Sequence, residues 1–279
     1  MNSLPIFLKY ARYRYIAYRI LLRMKMGKKK RDEYIKKSGI KLIDFLPERP
    51  YFINGIKAIP RKHTEDFYMF YITREEELSS HLLMNEGETF VDVGANVGYY
   101  SLKIAKNYQN KAVKVIAIEA HPENFKALCD NISCNNLTTI MAINKAASDH
   151  EGIETIYERV DNKNRIRSDS YSFSDGFLSS STGSSIARSG GKHLCIQCDT
   201  LDNILDRNKV DIMKIDIEGA EVLALKGATN TLKRLRKVIV EVHGNNLDKI
   251  RNILDDTHRF RVDTLETPVM NYVIGSKLA

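Results

Sequence analysis

The sequence lacks any long apolar run. Arginines interrupt its apolar N-terminal stretch, residues 1–26, so no uninterrupted apolar run there approaches the about 20 residues that a membrane-spanning helix needs. Cysteine is also scarce. The chain has four cysteines, no secretory signal and no disulfide framework. These absences exclude a spanning helix in this stretch and a disulfide-stapled domain, and they predict a reducing, cytoplasmic location.

Acidic residues are absent from 1–31, which contains ten lysines and arginines. Residues 32–279 hold 33 basic and 35 acidic residues, so the body of the chain is close to neutral. A neutral body argues against a broad nucleic-acid-binding face. Apolar residues recur at helical spacing within 1–31, which predicts a basic amphipathic helix. Two alternatives follow: the helix lies on the anionic inner face of a membrane, or it docks on the domain with a solvated basic face.

Strand-like and helix-like patterns alternate from Thr89 onward. The strand-like runs are 89–93, 114–120, 138–147, 211–217 and 237–243. The helical patterns are 98–107, 122–135, 219–235 and 246–256. This rhythm predicts βαβ units, with a mostly parallel sheet covered by helices on both faces. Two further strand-like runs near the C-terminus, FRVDTLE and VMNYVIG, predict an antiparallel pair at the sheet edge.

The same patterns predict three regions. The N-terminal arm is 1–31, a leader packed on the core is 32–85 with a helix over 75–84, and the main domain is 86–279. A serine-rich insert, 160–192, contains ten serines and interrupts the alternation of the main domain. Long insertions of this kind in α/β domains are usually functional loops or excursions, and here a hairpin and flap over the ligand face is favoured over a passive loop.

The stretch FVDVGANVGYYS is the strongest local signal. A short apolar run ends at Asp92, and the turn that follows contains Gly94, Ala95, Asn96 and Gly98 before a helix begins. Glycine lets the backbone approach a ligand closely, and the helix start offers free N–H groups. A dinucleotide fold would use GxGxxG and place a pyrophosphate at the helix. A carboxylate at this place would repel a pyrophosphate but suits the cationic S-adenosylmethionine.

Two further acids follow strands at positions where a nucleoside can be bound. Glu119 ends the second strand, where a carboxylate can accept both ribose hydroxyls. Asp149 follows the third strand-like run and is a candidate acceptor for the adenine amino group, with a turn or helix-cap role as the alternative. The two cysteines of Cys195-x-x-Cys198 fall in a strand pattern that points them to opposite faces, so no metal or redox site is predicted between them.

The densest group of charges is DIMKIDIEGAE, at 211–221. Lys214, Asp216 and Glu218 point the same way on a strand, and burying them unpaired would be costly. They are therefore expected at the carboxyl end of the strand, where parallel sheets bind ligands. His243 ends the next strand and should face the same cleft, as a candidate general base. A structural salt-bridge cluster is the alternative.

These segments together resemble the FkbM family of S-adenosylmethionine-dependent methyltransferases. The matching segments are 92–101, 118–136, 145–152, 198–205, 211–228 and 239–243. The resemblance implies a class I methyltransferase, Rossmann-like fold with a seven-stranded sheet, and methyl transfer, most often to a hydroxyl of a sugar, polyketide or other small molecule. It also implies cofactor and substrate roles for particular residues. The cofactor residues are Asp92, Gly94, Asn96, Gly98 and Glu119, and the residues that face substrate are Asp216, Glu218 and His243.

Three mechanisms for deprotonating an alcohol stay open at this point. His243 can take the proton, Asp216 can take it, or Asp216 and Glu218 can hold a divalent cation that acidifies the hydroxyl. The expected acceptor is a sugar, including a lipid-linked sugar if the N-terminal arm meets a membrane. An RNA or DNA methyltransferase is the rival function, although the chain has no NPPY-like motif and no Pro-Cys nucleophile. A cofactor-binding scaffold without turnover is the second rival.

Overall fold

The structure is a computed structural model that describes residues 48–62, 64, 66–71, 76–160, 166–172, 193–267 and 270–277. The N-terminal arm therefore lies outside the described residues, and so does most of the serine-rich insert, together with the predictions made for them. Among the residues described, no helix is both long enough and apolar enough to cross a membrane.

From β3 onward, strands and helices alternate as the sequence patterns predict, apart from the four strands β6 to β9, which form a separate sheet. The strands are β1 (Tyr51–Ile53), β2 (Ile56–Ala58), β3 (Thr89–Val93), β4 (Lys114–Ile118), β5 (Ile140–Ile143), β6 (Ala146–Ser148), β7 (Gly152–Val160), β8 (Ile166–Ser172), β9 (His193–Thr200), β10 (Ile212–Ile215), β11 (Lys237–Glu241), β12 (Arg261–Glu266) and β13 (Asn271–Ser276). The α-helices are α1 (Asp66–Tyr71), α2 (Tyr99–Asn107), α3 (Pro122–Asn135), α4 (Leu201–Leu205), α5 (Glu221–Lys226), α6 (Thr229–Arg234) and α7 (Leu247–Asn252). Short 3₁₀ turns at Glu76–Ser80 and Gln109–Lys111 and a π turn at Ile253–Thr257 complete the described helical segments.

Seven strands form the main sheet, in the order β12-β13-β11-β10-β3-β4-β5. The strands from β11 to β5 are parallel, whereas β13 pairs antiparallel with both β11 and β12. The predicted seven-stranded, mostly parallel sheet with an antiparallel C-terminal edge pair is confirmed. A separate four-stranded sheet has the order β6-β9-β7-β8, and β1 and β2 form a hairpin.

Both faces of the main sheet are covered, which explains the continuous apolar runs of its central strands. On one face, Val91 and Met213 pack with residues of α4, α5, α6 and α7. On the other face, Phe90 packs with α2 and with the leader, including Phe70 of α1. The leader is also tied down by polar contacts, since the Arg61 guanidinium bonds Asp66 at 2.7 Å and the Asn124 side chain of α3 at 2.9 Å.

Three predicted elements differ from the observed ones. The run 138–147 is two strands, because the chain leaves the main sheet after Ile143 and enters the second sheet at Ala146. The helix predicted over 75–84 is a 3₁₀ turn at Glu76–Ser80 followed by extended chain that buries Leu82 and Met84 and exposes Leu83.

The third difference is the helix predicted over 219–235, which is divided into α5 and α6. A Cβ added at Gly227 would lie 2.0 Å from the Ser148 carbonyl oxygen, so the chain passes in close contact there. The Asp202 carboxylate then accepts hydrogen bonds from the backbone N–H groups of Asn230 and Thr231, at 2.8 and 2.7 Å. This carboxylate caps a new helix start, which local sequence alone does not reveal.

Candidate active site

Four neighbouring parallel strands end at the same edge of the main sheet. In the order β4, β3, β10 and β11, they are followed by Glu119, Gly94, Asp216 and His243. Neighbouring strands lie about 4.8 Å apart, so the glycine turn and the acidic segment are side by side. This edge is where open α/β sheets bind their ligands.

The glycine turn is packed directly against the end of β10. Gly94 has φ of +82°, and a Cβ built there would lie 1.9 Å from the Asp216 carbonyl oxygen. Gly98 has φ of +93°, and a Cβ there would lie 2.7 Å from a Leu128 methyl carbon. The turn is held to β4 because the Gly94 and Ala95 N–H groups both donate to the Ile118 carbonyl at 2.9 Å. Glycine is needed at both positions for conformation and for space.

Asp92 has a structural role at the start of α2, and its predicted role in cofactor binding stays a prediction. Its side chain is buried, and its Oδ2 accepts hydrogen bonds from the Ser101 N–H at 3.0 Å and the Ser101 hydroxyl at 2.6 Å. Oδ2 of Asp92 therefore caps α2 from the preceding strand. A carboxylate is favourable at a helix start, which is the physical reason for this placement. Burial raises the pKa of Asp92, and the nearby Lys214 ammonium offsets part of that shift.

Glu119 organises the loops on either side of it. Its Oε2 accepts a hydrogen bond from the Asn96 N–H at 2.7 Å, and its Oε1 accepts one from the His121 N–H at 2.9 Å. Burial raises the pKa of Glu119 to about 7, although these two N–H groups act in the opposite direction. Each carboxylate oxygen has a second lone pair, so this geometry leaves acceptor capacity for ribose hydroxyls.

Asp149 lies on the turn between β6 and β7, which belongs to the second sheet. Its Oδ1 is 3.0 Å from Nδ1 of His150, and its side chain is 37% exposed. The structure does not bring Asp149 into contact with the glycine turn, and its adenine-binding role stays a prediction.

Asp216 is the carboxylate at the end of β10, and it stands between two cations. Lys214 is buried, donates to Asp216 Oδ2 at 3.0 Å and lies 4.6 Å from the centre of the Tyr100 ring. Burial opposes ionisation of Asp216, but the charges of Lys214 and His243 and the hydrogen bond from Lys214 outweigh it. The pKa of Asp216 is consequently lowered. Its side chain is 27% exposed, so an ionised carboxylate is accessible from solvent.

His243 is surrounded by carboxylates. Its Nδ1 lies 2.9 Å from Glu221 Oε1, and its Nε2 lies 3.5 Å from Glu241 and 3.8 Å from Glu218. Burial alone would lower the pKa of His243. The hydrogen bond to Glu221 and the charges of Asp216, Glu218 and Glu221 outweigh burial and raise the pKa of His243 to about 10. The imidazole is therefore a cation at neutral pH. A protonated imidazole has no free lone pair, so His243 must first lose this proton to act as a base, and its predicted role as general base stays a prediction.

The turn between β10 and α5 holds this arrangement in place. Glu218 and Gly219 both have positive φ, +53° and +111°. The fully buried Glu221 accepts a hydrogen bond from the Gly219 N–H at 2.8 Å and also contacts His243. A non-glycine residue with positive φ is uncommon and often marks a functional turn.

Sequence reasoning missed two members of this site. Glu221 lies in the predicted helix 219–235 and Glu241 in the strand-like run 237–243, and the sequence patterns give neither of them a site role. The period of two along a strand places Glu241 on the same face as His243, and this signal was available in the sequence.

The described residues include one metal-compatible group at this edge. One ligand atom each from Asp216, Glu241 and His243 lie within 4.8 Å of one another. Glu218, which the sequence paired with Asp216 for this purpose, is not a member of that group.

A family model for the FkbM methyltransferase domain matches residues 92–264, which is more than half of the chain. The chain belongs to the FkbM family of S-adenosylmethionine-dependent methyltransferases. Among solved structures, the FkbM methyltransferase of Methylobacillus flagellatus resembles this FkbM protein with a TM-score of 0.50 and 20% identity. The alignment covers 71% of this chain and 46% of that one, and it supports the class I fold.

Two curated relatives align with parts of the chain. A tRNA(Phe) (4-demethylwyosine(37)-C(7)) aminocarboxypropyltransferase of Methanocaldococcus jannaschii is 36% identical over 69 residues, which is 25% of this chain and 27% of the relative. The hexuronic acid methyltransferase AglP of Haloferax volcanii is 25% identical over 185 residues, or 64% of this chain and 67% of AglP. The chain thus spans about a quarter of the first relative and about two thirds of the second.

Proposed function

We propose that this FkbM-family protein transfers the methyl group of S-adenosylmethionine to a hydroxyl oxygen of a sugar. The observation that carries the proposal is the position of Asp216. Its carboxylate is accessible and ionised, and its backbone carbonyl touches the glycine turn at Gly94. A proton acceptor next to the cofactor turn is what alcohol methylation requires.

The residues on the glycine-turn side fit the cofactor. Asp92 Oδ1 is buried and has no hydrogen-bond partner among the described residues, and Glu119 retains acceptor capacity on both oxygens. Acceptors of this kind suit ribose hydroxyls and a cationic ligand better than a pyrophosphate. Glu119 with the backbone of Gly94, Ala95 and Asn96 would hold S-adenosylmethionine, which supplies an electrophilic methyl group on a sulfonium.

Asp216 is the proposed general base. The acceptor hydroxyl becomes strongly acidic as its oxygen bonds to the methyl carbon, so a carboxylate of low pKa is sufficient to take the proton. Lys214 and the protonated His243 fix Asp216 in place from two sides and keep it ionised before the reaction. His243 is in this proposal a positioning residue, and Asp216 and Glu218 are the side chains that meet the acceptor.

A divalent cation is the second way to activate the hydroxyl. In this site a metal would have to displace the proton that the carboxylates of Glu221, Asp216 and Glu218 place on His243. The imidazolium and the Lys214 ammonium already balance much of the carboxylate charge. We therefore propose that methyl transfer does not depend on a metal. Full activity after dialysis against EDTA supports this, and loss of activity that Mg²⁺ restores contradicts it.

The acceptor class follows from the relative and from the charges. AglP is named a hexuronic acid methyltransferase, and hexuronic acids are accordingly the first acceptors to test. Because Asp216 and Glu218 line the reacting edge, an acceptor carboxylate would be repelled there, and the methylated group is expected to be a hydroxyl.

The test is a transfer assay with methyl-labelled S-adenosylmethionine. Hexuronic acids, the matching neutral hexoses, lipid-linked sugars and RNA are offered separately, and the labelled product is identified by mass spectrometry. An O-methyl sugar supports the proposal. Label on RNA alone overturns the acceptor class, and S-adenosylmethionine that fails to bind overturns the activity itself.

The location of the acceptor can be tested with the N-terminal arm. We propose that its ten basic residues hold the protein at an anionic membrane surface, where lipid-linked sugars are presented. Deleting 1–31 should release the protein from vesicles that contain anionic lipid while leaving cofactor affinity intact. Vesicle binding that is unchanged by the deletion contradicts this part of the proposal.

A further inference from the structure

A second group of ligating side chains lies on the four-stranded sheet, outside the candidate active site. It consists of His150 in the turn between β6 and β7, Glu154 on β7 and Cys198 on β9. His150 Nε2 lies 3.4 Å from Glu154 Oε1 and 3.8 Å from Cys198 Sγ. One ligand atom from each of the three residues lies within 4.8 Å of the others.

The strand register explains why these side chains meet. Gly152 of β7 pairs directly with Cys198 of β9, so Glu154, two residues further along, shares a face with Cys198. Gly152 has no side chain, and the His150 ring lies over it. A Cβ built on Gly152 would be 3.5 Å from His150 Cδ2 and 4.0 Å from Cys198 Sγ. Cys195, three residues before Cys198, is exposed.

The two distances from His150 Nε2 are close to the edges of a tetrahedral metal site. Zinc bonds of about 2.3 Å to sulfur, about 2.05 Å to nitrogen and about 2.0 Å to oxygen give tetrahedral edges of about 3.6 Å for S···N and about 3.3 Å for N···O. The observed 3.8 and 3.4 Å lie close to these values. From this geometry we propose that His150, Glu154 and Cys198 bind a divalent transition-metal ion, with Zn²⁺ as the best match.

Asp149 supplies a second observation that points to a metal. Its Oδ1 lies 3.0 Å from His150 Nδ1. An Nδ1–H that donates to this carboxylate leaves the lone pair on Nε2, the atom that faces Glu154 and Cys198. Ligating histidines are commonly oriented by a carboxylate in this way. A thiolate with an imidazole selects zinc-like ions over Mg²⁺ or Ca²⁺.

The ion would fasten the β6–β7 turn to β9. The metal would thus join β9 to the turn before β7, and these two strands precede and follow residues 161–192 in the sequence. Three protein ligands leave a fourth position for water or another donor. This inference is independent of the proposed function, since metal binding is measured without substrate or turnover.

The test uses the full-length protein after removal of bound metal with a chelator. Titration with Co²⁺ should produce a thiolate-to-cobalt charge-transfer band that saturates at one equivalent, and Zn²⁺ should bleach it. The chain has four cysteines, which allows a matched control. Cys198→Ser should abolish the band, and Cys195→Ser should retain it. Absence of the band in the wild type, or its survival in Cys198→Ser, overturns the site.

Two further variants separate ligation from misfolding. Glu154→Gln keeps the shape of the side chain and should weaken Zn²⁺ affinity while the circular dichroism spectrum is unchanged. Asp149→Asn should weaken affinity by about 10- to 100-fold, as expected for the partner of a ligating histidine. If both variants bind Zn²⁺ with wild-type affinity, the assignment is contradicted. This outcome decides the question even if Cys198→Ser does not fold.

Discussion

The two halves of the active-site edge shift the pKa values of their carboxyl groups in opposite directions. On the β3–β4 side, Asp92 and Glu119 are buried and are contacted by backbone N–H groups and a hydroxyl, and their pKa values are raised. On the β10–β11 side, Asp216 lies between Lys214 and His243, and its pKa is lowered. The carboxyl groups of the first half hold the ligand-binding turn in place. The second half contains an ionised carboxylate that can accept a proton.

The comparison indicates where chemistry takes place. Titratable groups whose environments push their pKa values apart are typical of acid–base sites. His243 shows that proximity to acids can change a residue from a base into a fixed cation. The identity of a side chain therefore does not determine its role at this edge, because its neighbours on the next strand do.

The sharpest test of this comparison is Asp216→Asn. The amide keeps the size of the side chain but cannot take a proton, so kcat should fall by about 10²- to 10⁴-fold while S-adenosylmethionine affinity changes little. Steady-state kinetics and calorimetric titration measure the two quantities. Asp248→Asn, an exposed acid on α7, is the matched control and should retain activity. Turnover close to wild type in Asp216→Asn would remove the general-base assignment.

The β3–β4 side of the site is tested by Gly94→Ala. The new Cβ would collide with the Asp216 carbonyl and would force alanine into a left-handed conformation. We expect a loss of about 3 kcal/mol or more in the free energy of unfolding, with loss of cofactor binding. Gly55→Ala is the matched control, since Gly55 also has positive φ but has no atom within 4 Å of the added Cβ. It should cost about 1–2 kcal/mol. Equal losses in thermal denaturation would show that steric contact at Gly94 is unimportant.

A smaller effect is expected for Glu119→Gln. The new amide NH₂ group would face the N–H group of either Asn96 or His121, and two hydrogen-bond donors would then oppose each other. The substitution would also remove one acceptor for the ribose hydroxyls. The Kd for S-adenosylmethionine should rise about tenfold, or about 1.4 kcal/mol. Calorimetric titration measures it, with Glu123→Gln on the exposed face of α3 as control. An unchanged Kd would mean that Glu119 serves only the loops.

Much of this edge could be predicted from sequence because it depends on local patterns. Strand periodicity and the position of glycines placed Glu119, Asp216 and His243 at neighbouring strand ends. The roles of Asp92 and His243 could not be predicted in the same way. Asp92 is engaged by Ser101, nine residues later. His243 is charged by Glu221 together with Asp216 and Glu218, which follow β10. Those partners are brought together by the sheet order.

Separation of the fold into two sheets was also beyond the sequence patterns. The run 138–147 reads as one strand, yet Asn144 turns the chain by donating to the Glu119 and Ala120 carbonyls at 2.7 and 3.0 Å. Such a contact joins residues that are about 25 positions apart. Periodicity within a short window does not contain it.

A further test concerns the charge of His243 and the pH dependence of stability, where each single pH unit changes the free energy of unfolding by a small amount. The folded-state pKa is about 10 and the unfolded value is 6.5, so the folded protein binds one more proton between these pH values. Stability from this group is complete below pH 6.5 and is lost as the pH rises toward 10, with a slope of at most about 1.4 kcal/mol per pH unit. The unfolding free energy of the wild type minus that of His243→Gln should therefore decrease across this range in urea denaturation. The unfolding free energy of the wild type minus that of His258→Gln should not decrease in this way, because burial lowers the pKa of His258. A wild-type advantage over His243→Gln that stays constant with pH would mean that the imidazole is neutral, and the acidic half would then hold a general base after all.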